Sequence, residues 1–149
     1  AADAESFYVK GIRASMEFYG LEDGAEVEIT ESDNDKVLKT VTVSVTSYLN
    51  QAAVKYNGNN ATGLQQILTQ KYLAFFQHSG LEAYFNFRRT GIPAFHQGPG
   101  TGNGGVIPRR WLYPGAEKNV NTNNLNAAIA NQFGGAGDDL DNEMWLLKN

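Results

Sequence analysis

Two adjacent arginine pairs, Arg88-Arg89 and Arg109-Arg110, are the residues of this 149-residue chain whose types and spacing most directly suggest chemistry. A guanidinium carries five donors in a rigid fork that can grip a carboxylate and backbone carbonyls together, and its flat face stacks on aromatic rings. Both pairs stand in aromatic-rich sequence, and two uses follow. In the first, an Arg of each pair joins Glu82, Glu117 or the carbonyls of a helix C-terminus, so that Arg88, Arg109 and Arg110 with the two glutamates form a network pinning residues 94–121. In the second, the guanidinium holds a saccharide or a peptide carboxylate. Arg89 with Trp111, Tyr113 and Phe95 are the candidate ligand contacts, because an amphipathic aromatic offers apolar area with a polar tip to the C–H face of a sugar ring. Aromatics beside Pro and Gly, Trp145 included, serve equally as loop anchors.

Catalytic material is scarce. The chain has two histidines, His78 and His96, and no Cys, and it contains neither HExxH nor G-x-S-x-G. Nucleophilic triads and zinc sites therefore lack their parts. Paired carboxylates for glycoside hydrolysis must converge across a cleft with one acid kept protonated, whereas the acids here lie mainly in two polar segments. Gly100-Thr101-Gly102-Asn103-Gly104-Gly105 satisfies G-x-G-x-x-G, but that motif needs a strand before it and a helix after it, and Val106-Ile107-Pro108 blocks such a helix. The run reads as a mobile loop. Residues 139–143 begin like a calcium loop, yet Met144 stands where the sharp turn needs Gly and the distal Glu is missing. An EF-hand is excluded, and surface solvation or an irregular cation loop are the readings left. No cofactor and no metal are expected.

The elements that must position these residues centre on 63–93, GLQQILTQKYLAFFQHSGLEAYFNFRRTGIP. Leu64, Ile67, Leu68, Tyr72, Phe75 and Phe76 share one face of a 3.6-residue period, which predicts a buried helix. Gly80 suits a left-handed turn, after which Leu81, Tyr84, Phe85 and Arg88 restart the stripe. Leu64, Ile67, Leu68, Phe75, Phe76, Leu81, Tyr84 and Phe85 are thus the expected core. Before this run, Asp3 or Ser6 caps a helix ending at Gly20, with Gly11 inside it at a cost of about 1 kcal/mol relative to Ala. Residues 21–35 are acidic and read as solvated. Alternation of Val27 and Ile29 with Glu, and of Val41, Val43 and Val45 with Thr and Ser, flanks the turn cluster Ser32-Asp33-Asn34-Asp35 and predicts a hairpin near 26–45. A helix over 45–56 follows. Beyond the central run come a loop over 94–110 and one further helix over 121–133.

QQILTQKYLAFFQHSGLEAYFNFRRTGIP and IPRRWLYPGAEKNVN at 107–121 together resemble the C-terminal region of the SusD/RagB family, outer-membrane nutrient-binding lipoproteins. AESFYVKGIRASMEFYG, YLNQAAVKY at 48–56 and NNLNAAI with a late Trp145 extend the resemblance in order along the chain. It implies a mainly α, irregular helical domain with long loops, a single domain over 1–149 that is the C-terminal portion of a longer protein. It also implies a non-catalytic role: capture of an oligosaccharide or peptide on the extracellular face of the outer membrane and delivery to a SusC-like TonB-dependent transporter. In the family, the best-known sugar contacts lie ahead of the region matched, as do a signal peptide, a lipid-carrying Cys and a helical-repeat body. The alternative is a helical module that docks the transporter without touching the ligand.

Composition agrees with this and narrows it. A net charge of −4, with basic residues dispersed apart from the two Arg pairs, argues against a nucleic-acid surface. No run approaches the roughly 18–20 apolar residues of a membrane helix. Attachment to a membrane would come from the lipid anchor that the resemblance implies.

Overall fold

A computed structural model describes residues 2–33 and 35–147. The chain is mainly α with one small antiparallel sheet, and it divides into two compact units, Ala1–Ala83 and Tyr84–Asn149.

The first unit is built on helix α1, Ala2–Phe18, which carries Asp3 and Glu5 in its first turn where the helix dipole favours negative charge. Tyr8 and Ile12, four residues apart and so on one face, are buried against Val54, and Val9, Met16, Tyr48, Leu49 and Tyr56 pack around them. Each such side chain, fully buried, contributes about 1.5–3 kcal/mol. The Tyr8 hydroxyl donates to the Val54 carbonyl at 2.6 Å.

Strands β1 (Glu26–Thr30) and β2 (Val37–Thr42) form the expected hairpin. Val27 pairs with Val41 and Glu26 with Thr42, and the register shifts between Ile29 and Thr30. Asn34 of the turn cluster lies outside the described residues. Val43 prolongs the ladder by exchanging backbone bonds with Gly24 and Ala25. Val45 instead opens helix α2, Val45–Leu49, with Ser44 as its N-cap.

The helix predicted over 45–56 stops at Leu49, and side chains from elsewhere explain why. The Ala53 and Lys55 carbonyls accept from Gln66 Nε2, while Val54 O accepts from Tyr8. Carbonyls served this way need no helix to satisfy them. Gln66 Oε1 in turn accepts from the Asn57 N–H at 2.9 Å, so a buried amide is fully used.

Helix α3, Ala61–Ala74, starts at an Asn60 N-cap whose side chain accepts from the Gly63 N–H. A Cβ on Gly63 would lie 1.9 Å from the Gly58 carbonyl oxygen, so only glycine fits there. The helix ends two residues before the first stripe does, at Ala74 and not Phe76. Phe75 caps it, and Gln77 and Gly80 take positive φ values of 64° and 51°. The expected core is therefore corrected. Leu68 is buried at 7 % exposure, but Leu64, Ile67, Phe75, Leu81 and Phe85 are exposed and Phe76 is 62 % exposed. Phe75 and Phe76 fall beyond the helix end, where the 3.6 period no longer places them, and Leu64 and Ile67 stand on a flank of α3 that no described element of the first unit covers.

Helix α4, Glu82–Thr90, leads into the second unit. Helices α5 (Gly115–Val120) and α6 (Thr122–Phe133) follow two short 3-10 turns, Pro99–Thr101 and Asn103–Gly105. Helix α5 was not anticipated. Pro114 directly precedes it and Glu117 stands in its first turn, signals that the neighbouring Gly115 obscures. Helix α6 packs Leu125 inward and ends at Gly134, which has a φ of 62°. No helix among the described residues is long and apolar enough to cross a membrane.

Candidate functional site

RRTGIP closes α4 by a chain of local bonds. The Thr90 hydroxyl donates back to Asn86 O at 2.7 Å, the Gly91 N–H to Phe87 O at 2.7 Å, and the Ile92 N–H to Thr90 Oγ1 at 3.1 Å. Gly91 has the positive φ of 70° that ends a helix in this way. Arg88 and Arg89 occupy the last turn, where positive charge is favoured. Arg88 lies over the Tyr84 ring at 5.4 Å and reaches Met144 Sδ at 3.4 Å. Arg89 is exposed and donates to Asn86 Oδ1 at 3.3 Å.

IPRRWLYP has no regular secondary structure and is held by what its backbone and arginines reach. The N–H groups of Arg109 and Arg110 both donate to Leu140 O. Arg110, 4 % exposed, donates to Asp138 Oδ1 at 2.6 Å and to Asp139 O at 2.9 Å. Its guanidinium lies 4.6 Å from the Phe133 ring and 5.3 Å from the Tyr113 ring. Asp138 also accepts from the Tyr113 N–H at 3.2 Å, and Lys118 Nζ approaches it at 3.9 Å. Arg109, by contrast, meets Glu143 at 3.4 Å in solvent.

Asp138 is the residue that sequence reasoning missed, since it stands just outside the 139–143 segment and follows three glycines within 134–137. The available signal was chemical: a buried arginine requires a carboxylate. Of the two glutamates singled out, Glu82 accepts from Lys71 at 2.5 Å and Glu117 from Asn121 Nδ2 at 2.8 Å.

The candidate ligand contacts occupy four different surroundings in the second unit. Trp111 is 56 % exposed and meets Tyr84 and Phe85 edge-on, with centroids at 5.6 and 5.9 Å. Tyr84 is fixed in turn by its hydroxyl, which donates to Pro108 O at 2.7 Å. Phe95 is half-buried against Phe87 at 5.4 Å. Tyr113 belongs to the Arg110 cluster, its hydroxyl 3.4 Å from Gln132 Oε1, and Arg89 stands apart. Of the four, Trp111 offers the broadest open aromatic face.

The glycine-rich run closes on itself, with Thr101 donating twice to Gly98 O, and neither a strand precedes it nor an α-helix follows it directly. In the 139–143 segment Asp139 accepts from the Asp141 N–H and Asp141 from Asn103 Nδ2. Among the described residues no group of three His, Asp or Glu side chains is arranged to hold a metal.

The 107–114 segment is thus clamped through the buried Arg110 guanidinium, with the exposed Trp111 ring next to it in sequence. The chain belongs to the SusD-like family whose model, described as starch-binding associating with outer membrane, matches residues 1–114. A SusD homologue of Bacteroides fragilis is similar to it at 32% identity with a TM-score of 0.70, over 97% of this chain and 30% of that one. A second from the same organism shows 29% identity and a TM-score of 0.68, over 97% and 29%. A Bacteroidetes SusD-like protein shows 25% identity and a TM-score of 0.67, over 97% and 26%. The chain thus spans less than a third of the length of these structures. No curated protein matches it.

Proposed function

We propose that these residues are the C-terminal portion of a longer glycan-binding protein at the extracellular face of the outer membrane. That protein captures an oligosaccharide without catalysis and delivers it to a SusC-like TonB-dependent transporter. The observation that carries this reading is the family match over 1–114, which includes the RRTGIP turn and the arginine-bearing IPRRWLYP segment up to Pro114. The portion's own task is mainly that of a frame, with Arg110 and Asp138 at its centre. Trp111 adds one wall of the ligand site, because its open indole can lie against the C–H face of a sugar while Tyr84 and Phe85 hold its edge. Tyr113 serves the Arg110 clamp in this reading, and Phe95 and Arg89 lie in surroundings of their own.

Isothermal titration of the longer protein with maltoheptaose, preceded by a glycan array to find the preferred saccharide, tests this. The longer protein binds, residues 1–149 alone bind weakly or not at all, and Trp111→Ala weakens capture about tenfold, equivalent to 1.4 kcal/mol, with the melting temperature unchanged. An empty array from a protein that still co-purifies with a transporter barrel would establish the docking-module alternative instead.

A further inference from the structure

Arg88 differs from the other arginines of the second unit in what its charge meets. Arg110 has Asp138, Arg109 has Glu143, and Arg89 is exposed, so that water serves it. Arg88 is half-buried, its Nε is buried without a hydrogen-bond partner, and its Nη2 donates to the Met144 thioether, a weak neutral acceptor. We propose that the saccharide held against Trp111 is acidic, a hexuronate, and that Arg88 receives its carboxylate. The inference rests on the reading that Trp111 walls a saccharide site, and it names the class of saccharide that site takes.

The second unit does not supply the missing anion from its own described residues. Its acids are Glu117, Asp138, Asp139, Asp141 and Glu143. Each is engaged elsewhere: Glu117 accepts from Asn121, Asp138 from Arg110, Asp139 from the Asp141 N–H, Asp141 from Asn103 and Glu143 from Arg109. A guanidinium does not shed its proton on burial as an ammonium does, so the charge stays. The C-terminal dipole of α4 offsets part of the cost but brings no acceptor to the buried Nε. A desolvated charge left in this condition is unfavourable until an anion reaches it.

Tyr84 joins Arg88 to the aromatic wall. The guanidinium lies 5.4 Å from the Tyr84 ring and the Trp111 ring lies 5.6 Å from it, while the Tyr84 hydroxyl is fixed on Pro108 O. A sugar chain resting its C–H face on the indole therefore has a cation one aromatic ring away. The planar carboxylate of a hexuronate matches the guanidinium fork with two parallel charge-assisted bonds, which a hydroxyl cannot form. A neutral glucan leaves the charge unanswered.

The longer protein is titrated calorimetrically with oligogalacturonate, oligoalginate and hyaluronan fragments, with the carboxyl-reduced form of each, and with maltoheptaose as the neutral reference. The expected result is that a uronate binds about tenfold more tightly than its reduced form and than maltoheptaose. That advantage falls away in Arg88→Gln and shrinks in high salt. Arg88→Lys keeps the charge and the aliphatic stem but not the fork; it retains part of the advantage and serves if Arg88→Gln does not fold. Maltoheptaose or a reduced form binding as tightly as any uronate overturns the proposal and leaves the saccharide reading standing. A uronate advantage that persists undiminished in the Arg88 variants also overturns it, because the carboxylate is then held elsewhere. Absence of binding by every saccharide overturns the saccharide reading and this inference with it.

Discussion

The two units of this chain are held by different forces. In Ala1–Ala83 an apolar cluster of Tyr8, Ile12 and Val54 forms the centre, and hydroxyl and amide side chains such as Tyr8 and Gln66 satisfy the carbonyls around it. In Tyr84–Asn149 a charged pair, Arg110 with Asp138, holds loops that share no sheet or long helix. Apolar packing tolerates partial loss because contacts are many and individually small. A buried ion pair does not, because removing one partner leaves the other charged and desolvated.

The largest expected effect tests the polar unit. Arg110→Ala should destabilise it by about 3–5 kcal/mol, since Asp138 is then left buried without its guanidinium. Denaturant unfolding measures this, and a loss under 1 kcal/mol would show that the pair is not what holds the loops. Ile12→Ala tests the apolar unit, with an expected cost of about 2–5 kcal/mol from lost burial and the cavity left behind. If Ile12→Ala destabilised Tyr84–Asn149 as strongly as Arg110→Ala does, as read by hydrogen exchange, the contrast between the units would collapse.

A pH titration sharpens the comparison further. Burial, with a smaller contribution from Tyr48, raises the pKa of Tyr8 above the ordinary tyrosine value of about 10. A raised pKa means the folded state keeps the proton that the unfolded chain gives up. This contribution to stability is fully present below the ordinary value and is lost as pH climbs from there through the folded value. Melting temperatures between about pH 8 and 11 should therefore fall on the alkaline side, and Tyr8→Phe should flatten that fall. The smallest effect is expected at Arg109, whose pairing with Glu143 is solvent-exposed. Arg109→Ala should cost about 0–1 kcal/mol, and that little should disappear in high salt.

The same contrast explains what was legible in the sequence. The hairpin, the α1 and α6 helices and the RRTGIP stop were readable because alternation, helical spacing and terminal Gly residues act over a few neighbours. Helix α2 was overextended because its continuation was prevented by Tyr8 and Gln66, residues 46 and 13 positions from the carbonyls they meet. The stripe from Leu64 to Phe85 identified apolar residues correctly, but a periodic stripe does not say whether anything covers it. At the candidate site, the arginines stood out by type, while Asp138 was found only through its distance to Arg110. Nothing in spacing announces a partner 28 residues away.

Among the described residues the hairpin has two strands, and no third strand pairs with either outer edge. Unpaired edge groups of this kind are templates for strand addition by another molecule. Glu26 and Glu28 on β1 and Lys39 on β2 interrupt what would otherwise be a ribbon of valine, leucine, isoleucine and threonine. A second β1 laid against the first would bring its glutamates against their own kind and desolvate them. Charge repulsion at Glu26 and Glu28 therefore disfavours self-templated pairing through β1, a consequence for colloidal stability.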